Sequence, residues 1–264
     1  MTTSVPCWKN LPEALPGYRY IHAFGGRSAP MHTLNHVAPF CHEDIIEFNT
    51  QSSSQWDGLR YFAFRSTNVF YNNYVATDFR GSDDLGVQAW AEKGGIIGRG
   101  VLVDFKSWAE ATGVSFNVNG GTPISLRDVQ AILRSQGTEI KQGDILSFRT
   151  GHDALCVQNE PGSHQFIGLK SEEAFVEWLW NHQIAAVAGD QPAFESTPPP
   201  LDGGFGWLHE LLLAGLGCPI GELWDTEGLA RACRERGSYS FFLSSCPLVL
   251  EGGAASTANA VAIL

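Results

Sequence analysis

Thirteen residues, Asn49-Thr-Gln-Ser-Ser-Ser-Gln-Trp-Asp-Gly-Leu-Arg-Tyr61, hold the densest chemistry in this chain. Small hydroxyls, two amides, a carboxylate, a guanidinium and a phenol follow the short apolar stretch 44–48, which reads as a strand. Hydrogen-bonding side chains gathered at a strand end are how α/β folds build sites. By composition alone the same residues also make a solvated serine-rich turn. No G-x-S-x-G elbow occurs, so Ser52, Ser53 and Ser54 read as donors rather than nucleophiles. The glycines at 94, 95, 98 and 100 come before an apolar strand, not between a strand and a helix, so they do not make a dinucleotide fingerprint.

The elements that must position this loop alternate. Strands are predicted at 101–105, 144–148, 184–188 and 238–243. Helices are predicted at 125–136, with Ser125 and Asp128 as a capping box, and at 171–180, 208–216 and 225–236, the last two stopped by Gly217 and Gly237. Alternation without a linker or repeat predicts one α/β domain spanning 1–264. Residues 1–41, rich in Pro, Gly and His, read as an irregular arm over its body.

Composition bounds the partners. A chain of 264 residues with 44% hydrophobic and 17% charged residues and a mean hydropathy of −0.08 makes a folded domain with a sizeable core. The net charge of −11 disfavours nucleic acid and anionic membrane surfaces, and no long apolar run or leader pattern is visible, so a cytoplasmic location is expected. Six scattered cysteines without a C-x-x-C pair are expected to be reduced and mostly buried.

The loop resembles the signature of the cyclase family, the group that includes bacterial kynurenine formamidase and whose bacterial members carry H-x-G-T-H-x-D-x-P-x-H. It is closer still to a fungal branch reading N-T-Q-S-S-x-Q-W-D-G-x-R-H. The likeness continues in order through Gly81-Ser-Asp, Trp90-Ala-Glu, Gly143-Asp-Ile-Leu, Arg149-Thr-Gly, Ala188-Gly-Asp190, Leu208-His-Glu, Ile220-Gly-Glu222 and Gly252-Gly. It implies a swivelling β/β/α fold, with a central mixed sheet or small barrel flanked by helices, and a homodimer or larger assembly in which Trp8, Tyr18, Tyr20 and Phe24 bury.

The resemblance also implies a site. Gln51 and Gln55 stand where relatives have metal-ligand histidines, Asp57 at the ligand aspartate, Tyr61 at the final histidine, and His209 and Glu222 at the remaining ligand pair. Amides are weak ligands for zinc or manganese, so Asp57, His209 and Glu222 are left to hold a metal weakly or not at all, and none is required. The expected catalytic set is His209, Asp57, Tyr61 and Glu222, with Gln51, Ser53, Gln55, Trp56, Arg60 and His152 contacting a small-molecule substrate. His209, at a helix start, is expected to be a neutral base with a lowered pKa. The reaction implied is a non-hydrolytic cyclisation, dehydration or rearrangement of a carbonyl compound in secondary-metabolite biosynthesis; the alternative is metal-dependent hydrolysis of an amide, formamide or lactone.

Overall fold

A computed structural model describes residues 2–3, 30–152, 165–198 and 206–264. The aromatic residues of the expected arm, Trp8 to Phe24, lie outside them. The strands are β1 (Thr2–Thr3), β2 (Met31–Ala38), β3 (Cys41–Glu47), β4 (Gln55–Asp57), β5 (Ile96–Asp104), β6 (Pro123–Ile124), β7 (Ile145–Arg149), β8 (Gly168–Leu169), β9 (Ala186–Gly189), β10 (Ile220–Glu222), β11 (Ser240–Ser245), β12 (Ala255–Thr257) and β13 (Ala260–Ile263). The helices are α1 (Gln88–Glu92), α2 (Phe105–Thr112), α3 (Leu126–Ser135), α4 (Glu173–Asn181), the π-helical α5 (Glu210–Leu216) and α6 (Glu227–Arg236).

Nine strands form one curled, open mixed sheet in the order β1-β13-β11-β5-β7-β9-β10-β4-β12, so the expected mixed sheet is present as a half-barrel flanked by helices. Its centre, β5-β7-β9-β10, is parallel, and the flanking pairs are antiparallel. Strand alternation divides the core into two layers. Val101, Val103, Leu146, Phe148 and Val187 face α2, α3, α4 and α5, whereas Leu102, Ile145, Ala186 and Ala188 face α6.

Local signals explain the helix ends. Ser125 and Asp128 make the expected capping box on α3, and α5 and α6 stop at Gly217 and Gly237, both left-handed. A Cβ at Gly217 would stand 2.6 Å from the Tyr71 ring, so this cap must also be small.

The expectation of an irregular arm over 1–41 is corrected in part: residues 31–38 are β2, paired antiparallel with β3 as a separate hairpin. Alternation in Met31-His-Thr-Leu-Asn-His-Val37 is interrupted by histidines, which is why no period was legible there. The four described cysteines are free thiols as expected, but the expectation of burial holds only for Cys218 and Cys233, since Cys41 and Cys246 are exposed; Cys7 and Cys156 lie outside the described residues. Among the described residues no helix is long and apolar enough to cross a membrane.

Candidate active site

Two antiparallel strands bring the site together. Glu222 of β10 pairs with Gln55 of β4, and Ile220 with Asp57. Residues two apart share a sheet face, so Gln55, Asp57 and Glu222 emerge on one side while Trp56 points into the opposite core layer. There Trp56 packs edge-on against Trp224 and donates through Nε1 to Ser245 Oγ. Gly221, between Ile220 and Glu222, cannot be larger: a Cβ would lie 2.6 Å from that of Ala188. Leu223 follows with φ at +57°, a left-handed turn held by its own N–H to the Gln191 carbonyl. For a branched side chain such a conformation costs of order 1–3 kcal/mol.

His209 is the N-cap residue of α5 and is 6% exposed. Its Nδ1 lies 2.7 Å from Glu195 Oε2, its Nε2 3.0 Å from Glu222 Oε1 and 3.7 Å from Asp57 Oδ2. The last distance makes an ion pair but not a hydrogen bond. Burial lowers the imidazole pKa, but the charge of Glu195 and the facing Asp57 and Glu222 outweigh it and hold the ring well above its usual value. This corrects the expectation of a lowered pKa: a helix start carries about half a charge, and three buried carboxylates overrule it. Burial, and then the neighbouring Asp57, push Glu222 upward.

The amides complete the arrangement. Gln51 Nε2 donates to Asp57 Oδ1 at 2.7 Å, and Gln55 Nε2 bridges Asp57 Oδ1 at 3.1 Å and Glu222 Oε2 at 2.9 Å. An amide between two carboxylates must present its NH₂, because its oxygen would meet theirs. The Phe194 backbone N–H also donates to Glu222 Oε1.

Asp57, His209 and Glu222 each offer one ligand atom, all within 4.8 Å of one another, and Asp57 Oδ2 is buried with no hydrogen-bond partner among the described residues. This oxygen–nitrogen–oxygen set fits a zinc or manganese ion. Gln51 and Gln55, turned N–H first, add no ligand to it.

Other expected residues are placed as follows. Tyr61 is half-buried, its ring centroid 6.1 Å from that of His209, and Phe62 lies 5.4 Å away. Ser53 is buried in the turn before β4, so the solvated-turn reading of the serines does not hold. Trp56 belongs to the core and is not beside His209. The Arg60 guanidinium donates to the carbonyls of Ser82, Asp84 and Gly252, joining three loops. His152 is buried beside Thr150, whose hydroxyl accepts its backbone N–H. Glu195 was not anticipated: it stands in Phe-Glu-Ser-Thr before the prolines, where no period or motif marks a carboxylate that the fold buries completely.

A mixed α/β half-barrel with a buried histidine–carboxylate cluster on the inner strands β4 and β10 defines an enzyme of cyclase or hydrolase type. The chain belongs to the Cyclase family, whose family model matches residues 1–196; His209 and Glu222 lie beyond that match. Among solved structures, a novel cyclase is 28% identical, with a TM-score of 0.79 over 100% of this chain and 88% of its own. An isatin hydrolase bound to the product analogue thioisatinate shares the fold at 16% identity, with a TM-score of 0.64 over 99% and 90%. A predicted metal-dependent hydrolase from Bacillus stearothermophilus does so at 16%, with a TM-score of 0.53 over 99% and 93%. No curated protein matches this sequence.

Proposed function

We propose that the chain catalyses a non-hydrolytic proton-transfer reaction, a cyclisation, dehydration or rearrangement, on a small carbonyl-containing molecule, without a required cofactor. The observation that carries this reading is the Gln55 amide bridging Asp57 and Glu222: an N–H donor stands between the two carboxylates at a position where the bacterial signature has a metal-ligand histidine. Asp57 Oδ2, which has no hydrogen-bond partner among the described residues, takes the substrate proton. The His209 imidazolium, fixed by Glu195 at Nδ1, turns its Nε2–H from Glu222 Oε1 to the substrate oxygen on which negative charge develops. For a dehydration, the same donor protonates the leaving hydroxyl and water departs. Tyr61 and Gln51 supply further donors at the rim. The likeness to the fungal branch supports a place in secondary-metabolite biosynthesis.

A second reading rests on the three convergent ligand atoms. If Asp57, His209 and Glu222 hold zinc or manganese, the ion would polarise a carbonyl and the reaction would be hydrolysis of an amide, formamide or lactone.

The two readings part in one experiment. Purified protein, with and without chelator, is incubated with a panel of isatins, N-formyl arylamines, lactones and hydroxyketones, and products are weighed by mass spectrometry. Products isomeric with substrate or lighter by one water, formed equally with chelator, are expected. Ring-opened products heavier by one water from the isatins or lactones, or free arylamine and formate from the N-formyl compounds, abolished by chelator and restored by zinc or manganese, would establish the hydrolase instead.

A further inference from the structure

A cavity of about 330 Å³ lies away from the candidate site, with Leu179, Trp180, Gln183, Ile184, Leu216 and Cys218 in its wall. It sits where β9 and β10 begin, whereas the site lies where β10 ends at Glu222. The helices α4 and α5 both finish at it, with C-caps at His182 and Gly217. Their last carbonyls have no further helical N–H to meet, so each end carries about half a negative charge. Among the described residues no charged side chain lines the cavity to offset them. The floor is apolar: Leu179 and Cys218 are buried, while Trp180 beside them is 64% exposed. An indole left in water at the mouth of an apolar cavity is a surface on which a ring can stack.

We propose that this cavity binds a small aromatic amine and that its occupant bears on His209 through α5. The ring stacks on Trp180 above the apolar floor, and the ammonium faces the two helix ends, beside the indole and the Gln183 side chain. The same helix ends disfavour a carboxylate. A volume near the lower end of small-molecule sites limits the occupant to one or two rings with a short tail. The link to the site is α5 itself. Its N-cap is His209, and its C-cap, Gly217, lies between Leu216 and Cys218 in the cavity wall. The seven residues between the caps span at most about 10 Å. π-Helices are rare and concentrate at functional sites, and this one joins the cavity to the imidazole as a single short element. Helix shifts of about 1–2 Å are ordinary in switching proteins. A fraction of that at Leu216 alters the 3.0 Å contact of His209 Nε2 with Glu222.

The coupling rests on the reading that places His209 in the candidate site, but binding and coupling are both observed without turnover, so a failed reaction and a failed proposal stay distinguishable. Tryptamine and indole-3-acetate, alike in ring and opposite in charge, are titrated into the full chain by calorimetry, and the methyl resonances of Ile184 and Leu216 locate the bound molecule. Tryptamine is expected to bind with a dissociation constant on the order of 10⁻⁴ M and to shift both methyl signals. The His209 ring ¹⁵N resonances should move with the same midpoint. Indole-3-acetate should bind there about 10-fold more weakly or not at all. Trp180→Ala should weaken tryptamine about 10-fold, and Ala185→Phe, which fills the mouth, should abolish binding. Both residues are exposed, so the far-UV circular dichroism should stay unchanged. No heat and no methyl shift with tryptamine, equal binding of indole-3-acetate, affinity that survives both substitutions, or a His209 unmoved at saturation would each overturn the proposal.

Discussion

His209 is gripped at both ring nitrogens by buried carboxylates, so its charge and tautomer are set by its neighbours rather than by its place on α5. Glu195→Gln removes the charge that raises the imidazole pKa most while keeping an acceptor at Nδ1. The expected outcome is a lower His209 pKa, read from its ring ¹⁵N shifts across a pH series, in a protein whose fold is unchanged. An unmoved titration would show that Glu195 does not hold the ring. On product formation, His209→Ala is expected to be the most damaging change, at about 10²–10⁴-fold. Asp57→Ala should follow, and Tyr61→Phe should be intermediate. Gln51→His with Gln55→His should raise zinc uptake, measured by elemental analysis, without improving the native reaction; a faster reaction in that variant would favour the hydrolase reading.

Single residues tie the ends of adjacent elements. Asp190, just after β9, accepts from the backbone N–H groups of Thr150 and Gly151 and from the Thr150 and Thr226 hydroxyls, joining the ends of β7 and β9 to the start of α6. Burial pushes its carboxyl from 3.8 up to about 6, even though those donors pull it down. A carboxyl whose folded pKa is raised binds more protons folded than unfolded between those two values. Its contribution is therefore full below about pH 4 and lost as pH rises through about 6. A shift of this size corresponds to at most about 3 kcal/mol. Urea midpoints of wild type and Asp190→Asn, compared at pH 4 and 7, should show the wild type losing stability relative to the variant as pH rises. A constant difference would mean that the donors hold Asp190 ionised throughout.

At the scale of the molecule, the sheet separates two cores, and only one supports the site. Phe194 packs in the layer with Leu208, Leu212 and Ile220, and its N–H fixes Glu222; Leu229 fills the opposite layer under α6. Both Phe194→Ala and Leu229→Ala should cost about 2–5 kcal/mol in urea denaturation. Only the first is expected to shift the His209 ring resonances, since its cavity opens beneath Glu222. Equal shifts from both would show that the layers are not separate.

The helices α3, α4 and α6, the strands β7, β9 and β11 and the glycine stops were legible in the sequence because period, capping and left-handed turns are local properties; β5 was legible only from Val101, since it begins at Ile96 and runs through Gly98 and Gly100, which read as lying before the strand. Gln51, Gln55, Asp57, His209 and Glu222 were nameable through resemblance, since 49–61 carries a dense motif. The tertiary structure alone decided what those residues do to one another. The β4–β10 register puts Gln55 opposite Glu222 and sends Trp56 into the other core layer, which a run of neighbouring residues does not disclose. Convergence of Glu195 on His209 reversed the direction of an expected pKa, because a charge 2.7 Å away in a buried site outweighs a helix dipole. Arg60 was expected to contact substrate, yet carbonyls of two loops remote from it in the chain, at 82–84 and at 252, claim its guanidinium. Burial and charge pairing are properties of the folded neighbourhood, and the linear sequence specifies them only through the fold.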